Sequence, residues 1–458
     1  MTMNPCNLKK AGIFEVAPRD GLQPEPEFIP TAKKIELIKP QHLESVVHRE
    51  AYDSDPEKIR DACDAAAQVR CASIEKAAGV DLHLIRKSRV DNCTLTADNH
   101  ILAGIESKIG AALIPMGIAG PVRINGQHVN ESVYLPLATN EAALVAGVQR
   151  GVKAINMAGG LNTTVTFDGM SRAPLIEAPN IVEAQALCRR IREDEAFCKA
   201  LQIHIKDPFV RLEQIDPYQL GTKVFLRIIC KTGDAMGMNG VTKAAADITR
   251  GLLAQLPEWK LLTISSNLCT DKKAAHINVL NGRGKSVETE IFISDEILGK
   301  VFKAGVNGRS VEKTVFHKCY LGSSLSGTLT GFNVNAANTV AAFFAATGQD
   351  LAHVVSSSSC FVQADAVDGG VHFMVSMPCL ELATIGGGTR FGTANEALNL
   401  IGCGGFGKDV DDNGNVLRLA EIAATVVTAL DLNTACAQAA GYEMADSHVK
   451  LARGEEDK

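Results

Sequence analysis

The sequence predicts an α/β (α+β) protein: a large domain, interrupted by a small one and preceded by a helical subdomain. Three observations point there. A Gly- and Ala-rich style over Ile109 to Arg172 stops after Pro174 and returns beyond Asp271. The stretch between alternates helical and strand patterns, as a small α/β unit does. The chain is 458 residues long and 46% hydrophobic, enough for about three structural units with sizeable cores.

In order along the chain, residues 1–50 form a Pro-containing arm that lacks helical periodicity until Ile35. Apolar positions then recur at helical spacing among charged residues and predict a helix over 52–77. A second helix is expected over 140–153 and a charged amphipathic one over 182–201. Thr222–Cys230 is rich in β-branched and apolar residues and reads as a strand. A helix over 241–256 and a strand over 260–266 complete the small unit. Beyond it, strands are expected at 286–293 and 371–377 and helices at 334–346 and 418–438. The resulting boundaries are an arm over 1–50, a helical subdomain over 51–109, a large domain over 110–173 and 275–458, a small domain over 174–263, and a connecting loop over 264–274.

Forty-six Lys and Arg against 52 Asp and Glu leave a net charge of −6, which argues against a dedicated nucleic-acid binder. The thirteen Cys include no C-x-x-C pair, and the eleven His show no H-E-x-x-H. A reduced cytoplasmic setting without a metal is the expectation. The N-terminus has no apolar signal-like core, and the most apolar short stretch, Val340–Ala346, is far below the roughly 20 residues of a membrane helix. No membrane association is therefore expected.

Several residues could carry chemistry. Lys231–Gly240 joins a strand to a helix, so its glycines and the first helical N–H groups could meet a phosphate, although a plain turn explains the composition as well. Thr384–Thr389 is a second Gly loop with the same ambiguity. Asp271-Lys272-Lys273 sets an acid beside two amines, either as a solvated loop or as an oxyanion- and carboxylate-binding group. Glu141 opens an apolar helix, where capping is the plain reading. His448 lies among polar residues near the C-terminus and reads as a surface histidine unless other features give it work.

Taken together, these fragments resemble 3-hydroxy-3-methylglutaryl-CoA (HMG-CoA) reductase of class I over about residues 100–450. The carrying motifs are Pro115–Pro121 (PMGIAGP), Asp168–Pro174 (DGMSRAP), Asp234–Asn239 (DAMGMN), Cys269–Lys273 (CTDKK), Gly282–Ser286 (GRGKS), Ala336–Asn338, Gly348–Asp350 (GQD), Gly386–Thr389 (GGGT) and Ser447-His448. The resemblance implies a ferredoxin-like cofactor domain inserted in the substrate domain, and a homodimer or dimer of dimers with active sites between subunits. It implies reduction of HMG-CoA by two reduced nicotinamides to mevalonate and CoA, in isoprenoid and sterol biosynthesis, the step that statins target. NADPH is the implied cofactor, with NADH as the alternative.

Carried over by position, Lys272 would stabilise the oxyanion, Glu141 would donate a proton and Asp350 would tune both. His448 would protonate the departing thiolate. Arg172, Ser265, Asp271, Lys273, Lys318 and Asn338 match substrate-holding positions. Asp234, Met238 and Asn239 match the cofactor loop, and Arg453 a phosphate-side arginine.

The chain also departs from the family pattern. Lys206-Asp207-Pro208 stands where many class I enzymes carry a Ser-Arg pair that grips the 2′-phosphate, and Asp207 would repel that group. Asn335 replaces a usual His, and Gly240 a common Met. A mevalonate-oxidising NAD enzyme, or a CoA-ligand-binding pseudoenzyme, is the alternative reading. The arm carries a second resemblance: Phe14–Gln23 with Ile29–Ile38 looks like the opening strand and helix of HMG-CoA lyase, where Arg19 and Asp20 would serve catalysis and metal binding. Some 30 residues cannot supply the remaining barrel, so a fusion remnant or chance similarity is expected there.

Overall fold

The structure, a computed structural model, describes residues 109–407 and 414–442, with 67–76, 79, 81–83, 85, 94–95, 101–102 and 445. The lyase-like arm, His448 and Arg453 lie outside the described residues. The chain divides into two units, Met1–Ile114 with Arg390–Gly392, and Pro115–Thr389 with Thr393–Lys458.

In the first unit, residues 67–76 are helical, within the stretch where periodicity predicts a helix. Strands β1 (Thr94–Leu95) and β2 (Ile101–Leu102) pair antiparallel. Cys71 Sγ donates to the carbonyl of Ile109 at 3.2 Å.

The second unit is built on a ten-stranded sheet. β3 (Met116–Gly126) and β4 (Ser132–Ala138) form an antiparallel pair, and β3 ends alongside the start of β5 (Leu161–Arg172) in parallel. These three strands are absent from the sequence reading, which took the region as Gly- and Ala-rich backbone around a helix. Their alternation is blurred because β4 buries four residues in a row, Leu135–Ala138. The intervening helix α1 spans Leu144–Met157, not 140–153. Ala143 before it is left-handed, with φ 70°, so the helix starts three residues past Glu141.

β5 is long enough to serve two partners. Its first part pairs with β10 (Gly284–Ser294) and its last three residues with β8 (Lys223–Lys231). Beyond that junction the order is β6 (Leu175–Glu177), α2 (Ile181–Glu193), β7 (Arg211–Leu220), β8, α3 (Met238–Leu253) and β9 (Lys260–Thr263), with the strands side by side as β7-β8-β6-β9. This stretch has its own apolar core, including Ile176, Leu187, Leu226, Val241 and Ile248. The helix expected over 182–201 is broken at Asp194, whose carboxylate caps the following turn by accepting from the Phe197 N–H at 2.9 Å.

The large core lies between the sheet strands β5, β10, β11 (Phe361–Val367) and β12 (Gly370–Leu380) and helices α1, α4 (Ala336–Thr347) and α5 (Gly414–Ala439). α5 corrects the sequence reading, because at 26 residues it is long and apolar enough to cross a membrane. It is also 94% buried over its most apolar window. A helix covered on every side needs apolar residues all round, which explains the composition. α1 lies against it at close range: a Cβ on Gly151 would sit 1.9 Å from the Ala429 carbonyl oxygen. Two acids inside α5 are spent on backbone. Glu421 accepts from the N–H groups of Gln127, His128 and Val129 at 2.9–3.1 Å, and Asp431 accepts from Val334 and Asn335 at 3.0 and 2.9 Å.

Candidate active site

The connecting loop between β9 and β10 is held in costly backbone conformations. Among the described residues, four non-glycine residues have positive φ: Asn267, Thr270 and Lys272 on this loop, and Ala143 beside Glu141. Each such residue costs about 1–3 kcal/mol, and their surroundings must hold them there. Part of that hold is visible. Thr270 Oγ1 donates to buried Asn278 at 2.5 Å, and Ser266 Oγ donates to the Ala173 carbonyl at 2.8 Å.

The loop presents Lys272 to Asp350, with Nζ 2.9 Å from Oδ2. Asp350 itself is fixed by the turn after α4. Gly348 there has φ +69°, and a Cβ on it would meet the Gly388 carbonyl oxygen at 2.3 Å, so the GQD and GGGT motifs pack backbone to backbone. Buried Gln349 locks the turn by accepting from the Ala383 N–H at 2.8 Å.

Behind this pair stand more charges. Arg172, at the end of β5, donates to Ser265 Oγ at 2.9 Å and to Thr242 Oγ1 at 3.0 Å, and lies 3.7 Å from Asp271. Lys273 Nζ is turned to the Asp271 carbonyl at 2.9 Å. Arg283, fully buried, pairs with Asp271 at 3.1 Å and reaches Met238 Sδ at 2.8 Å. Its other terminal nitrogen contacts Glu381, which also meets His353 Nδ1. Burial pushes the Cys269 thiol up, but the Ser265 hydroxyl, nearby backbone N–H groups and Arg172 outweigh it, leaving the thiol below its ordinary range.

Glu141 belongs to a second group. The Asn338 amide donates to its Oε1 at 3.0 Å. Glu141, Asn338, Lys318 and Asn335 line a cavity of about 300 Å³ closed on one side by Leu430 and Thr434 of α5. Capping, the plain sequence reading for Glu141, is corrected here, since the helix begins only at Leu144. Among the described residues, no hydrogen bond or ion pair joins this group to the Lys272 group.

On the expected cofactor loop, α3 starts after Gly237 (φ +90°) with no side-chain cap, leaving its first N–H groups open to an anion. Asn239 is exposed and Met238 buried. Asp207 is half-buried, and its Oδ2 would lie 3.6 Å from a Cβ on Gly240 in the first turn of α3. The open helix end and the carboxylate beside it fit the phosphate and ribose of a dinucleotide. Asp234, on the same loop, has its side chain turned inward, accepting from the N–H groups of Gly407 and Val416 at 2.6 and 2.9 Å. That carboxylate anchors the start of α5.

Arg283, His353, Glu381 and Asp431 are absent from the sequence-based set. A single charge inside an apolar run, as Glu381 stands between Leu380 and Leu382 and Asp431 between Leu430 and Leu432, is the signal that could have found two of them.

An ammonium paired to a carboxylate, on a strained loop backed by buried arginines, can hold an anionic molecule and stabilise charge growing on a carbonyl oxygen. Such a centre suits an α/β protein that reduces a carbonyl or transforms an acyl group. The family profile described as hydroxymethylglutaryl-coenzyme A reductase matches residues 66–453, and the chain belongs to that family. It is 39% identical over 425 residues to a 3-hydroxy-3-methylglutaryl-coenzyme A reductase of Aeropyrum pernix, covering 91% of this chain and 97% of the relative. It is 35% identical over 448 residues to reductase 1 of Gossypium hirsutum, covering 95% and 74%. In fold it is similar to the class II reductase of Streptococcus pneumoniae bound to NADPH, with TM-score 0.58 at 17% identity over 81% of this chain and 96% of that one.

Proposed function

We propose that this chain is an HMG-CoA reductase, taking (S)-HMG-CoA to mevalonate and CoA with two reduced nicotinamides, in the mevalonate route to isoprenoids. The observation that carries the reading is the Lys272–Asp350 pair on its strained loop, within a chain of this family. The nicotinamide, when bound, supplies hydride; the protein supplies the rest. The Lys272 ammonium donates to the carbonyl oxygen as charge develops there, and Asp350 holds it in line. Glu141 delivers a proton to that oxygen, and His448 protonates the thiolate of CoA. Arg172, Ser265, Asp271, Lys273, Lys318 and Asn338 hold the acyl group and its carboxylate.

Lys272 and Glu141 fall in separate groups within one chain. The reading this supports is a homodimer whose active site takes the Lys272 group from one subunit and the Glu141 group from the other. Class I is favoured by the identity to archaeal and plant relatives, against 17% to the class II fold neighbour. The βαββαβ order of the small unit supports a ferredoxin-like cofactor domain, with Asn239, Met238, Asp207 and Arg453 around the nucleotide. Asp207 beside Gly240 favours one second reading: NADH as the partner, and with it the oxidative direction.

The test is absorbance decay of reduced nicotinamide with saturating HMG-CoA, run in parallel with NADPH and NADH. Decay with release of free thiol is the expected outcome. Faster decay with NADH gives the second reading, and no decay with either refutes both.

A further inference from the structure

Lys272 and Asp350 do not stand alone. His353 follows Asp350 by three residues, one turn on, and is wholly buried. Its Nδ1 contacts Glu381 Oε2. Its Nε2 is 3.5 Å from Asp350 Oδ2 and 3.8 Å from Asp271 Oδ1, and makes no hydrogen bond in this state. Glu381 is equally buried; Ser356 Oγ donates to its Oε2 at 2.7 Å, and Arg283 contacts its Oε1. A buried imidazole edge aimed between two carboxylates, and held from behind by a third, is an arrangement the roles given above do not use.

The protons follow from the charges. Glu381 contacts the Arg283 guanidinium and a hydroxyl donor, so its ionised form is supported, and an ionised Glu381 requires a proton on His353 Nδ1. That leaves Nε2 to face Asp350 and Asp271. A lone pair there would oppose two carboxylates; an N–H there would donate to Asp350 across a small approach. The other charges facing this cluster are Lys272, Arg172 and Arg283.

We propose that His353, braced by Glu381, is the positioning residue of the catalytic pair. Its Nε2–H shares the Asp350 carboxylate with Lys272, so that the ammonium is not locked to Asp350 and can turn its N–H toward the carbonyl oxygen. The inference rests on the reading of Lys272 as the oxyanion-stabilising group, and assigns to a histidine the tuning of that lysine's partner. No bond to substrate is formed by His353, and no net proton leaves it in a turnover.

The experiment compares wild type, His353→Gln and His353→Ala in the kcat–pH profile for HMG-CoA reduction, with KM and thermal unfolding measured on the same preparations. Wild-type turnover is the control: without it the functional reading itself fails. Losing His353 takes a positive charge from beside the Asp350 carboxylate. The acid limb of kcat should therefore move to higher pH, by about half a unit or more in His353→Ala and by less in His353→Gln, whose amide keeps a neutral donor. kcat should fall about tenfold or more in the alanine variant, with KM for HMG-CoA changing far less, and glutamine should recover part of it. If the alanine variant does not fold, His353→Gln decides alone. An acid limb that stays in place in a folded variant overturns the proposal, whatever happens to kcat, because a purely structural loss lowers rate without moving the limb.

Discussion

The side-chain amide of Asn338 donates to Glu141 Oε1 at 3.0 Å across 197 residues of sequence, and this contact belongs to a different group from the one that joins Lys272 to Asp350. On the dimeric reading proposed above, each chain carries two halves of one chemical set: a proton donor with its amide partner, and an ammonium with its carboxylate. That reading has the halves meet across two subunits, and subunit mixing tests it.

Glu141→Gln and Lys272→Ala, each expressed alone, should be nearly inactive. Co-expressed, they should regain about a quarter of wild-type activity, because half of randomly paired dimers are hybrids and each hybrid contains one intact site. Steady-state assay of the mixture, with tagged subunits to count hybrids, checks this; no recovery would place the whole site in one subunit.

Lys272→Ala should cost about 10²–10³ in kcat, the usual loss when an oxyanion donor is removed. The fold should survive, since the Lys272 and Asp350 side chains are 43% and 37% exposed, and exposed ion pairs are worth about 0–1 kcal/mol. Rate and melting temperature on one sample test both halves; retained turnover removes Lys272 from the mechanism.

Asp207→Ser combined with Pro208→Arg should shift preference toward NADPH, by about tenfold in the ratio of kcat/KM values, as a carboxylate that repels a 2′-phosphate is exchanged for a cation. An unchanged ratio would mean that these residues do not meet the ribose.

Asp431 gives a pH signature in stability. Burial pushes its carboxyl from the ordinary 3.8 up to about 7, against the Val334 and Asn335 N–H groups and Lys318, which favour the ionised form. Between those two values the folded state holds a proton that the unfolded chain has lost. Stability from this group therefore falls as pH rises from about 4 to about 7, and is level below that window. Asp431→Asn should flatten this part of the curve while costing on the order of 1–3 kcal/mol, as one backbone N–H loses its acceptor. Denaturant titrations at pH 5 and pH 8 check the slope.

How much of this was legible in the sequence varies with the physics. Within the small unit, α2, α3, β8 and β9 were legible because the helices are amphipathic and β8 is an apolar run broken only at Arg227, whereas β6 and β7 were not read. β3 and β4 were not, because β4 buries Leu135–Ala138 in a row and so loses its alternation, while Gly117, Gly120 and Pro121 interrupt the pattern of β3. α5 was read at 418–438, close to Gly414–Ala439, but not as a helix apolar all round, which follows from its being buried on all sides. Of the site, the motifs and their resemblance supplied Glu141, Lys272, Asp350 and the substrate-holding set. What each side chain faces depends on packing between segments far apart in sequence. Only the tertiary structure turned the Asp234 carboxylate inward onto the start of α5, separated Glu141 from Lys272, and set His353, Glu381 and Arg283 in line behind Asp350. No rule of spacing relates residues 283, 353 and 381; a shared buried volume does, where each charge is held only because the next one is there.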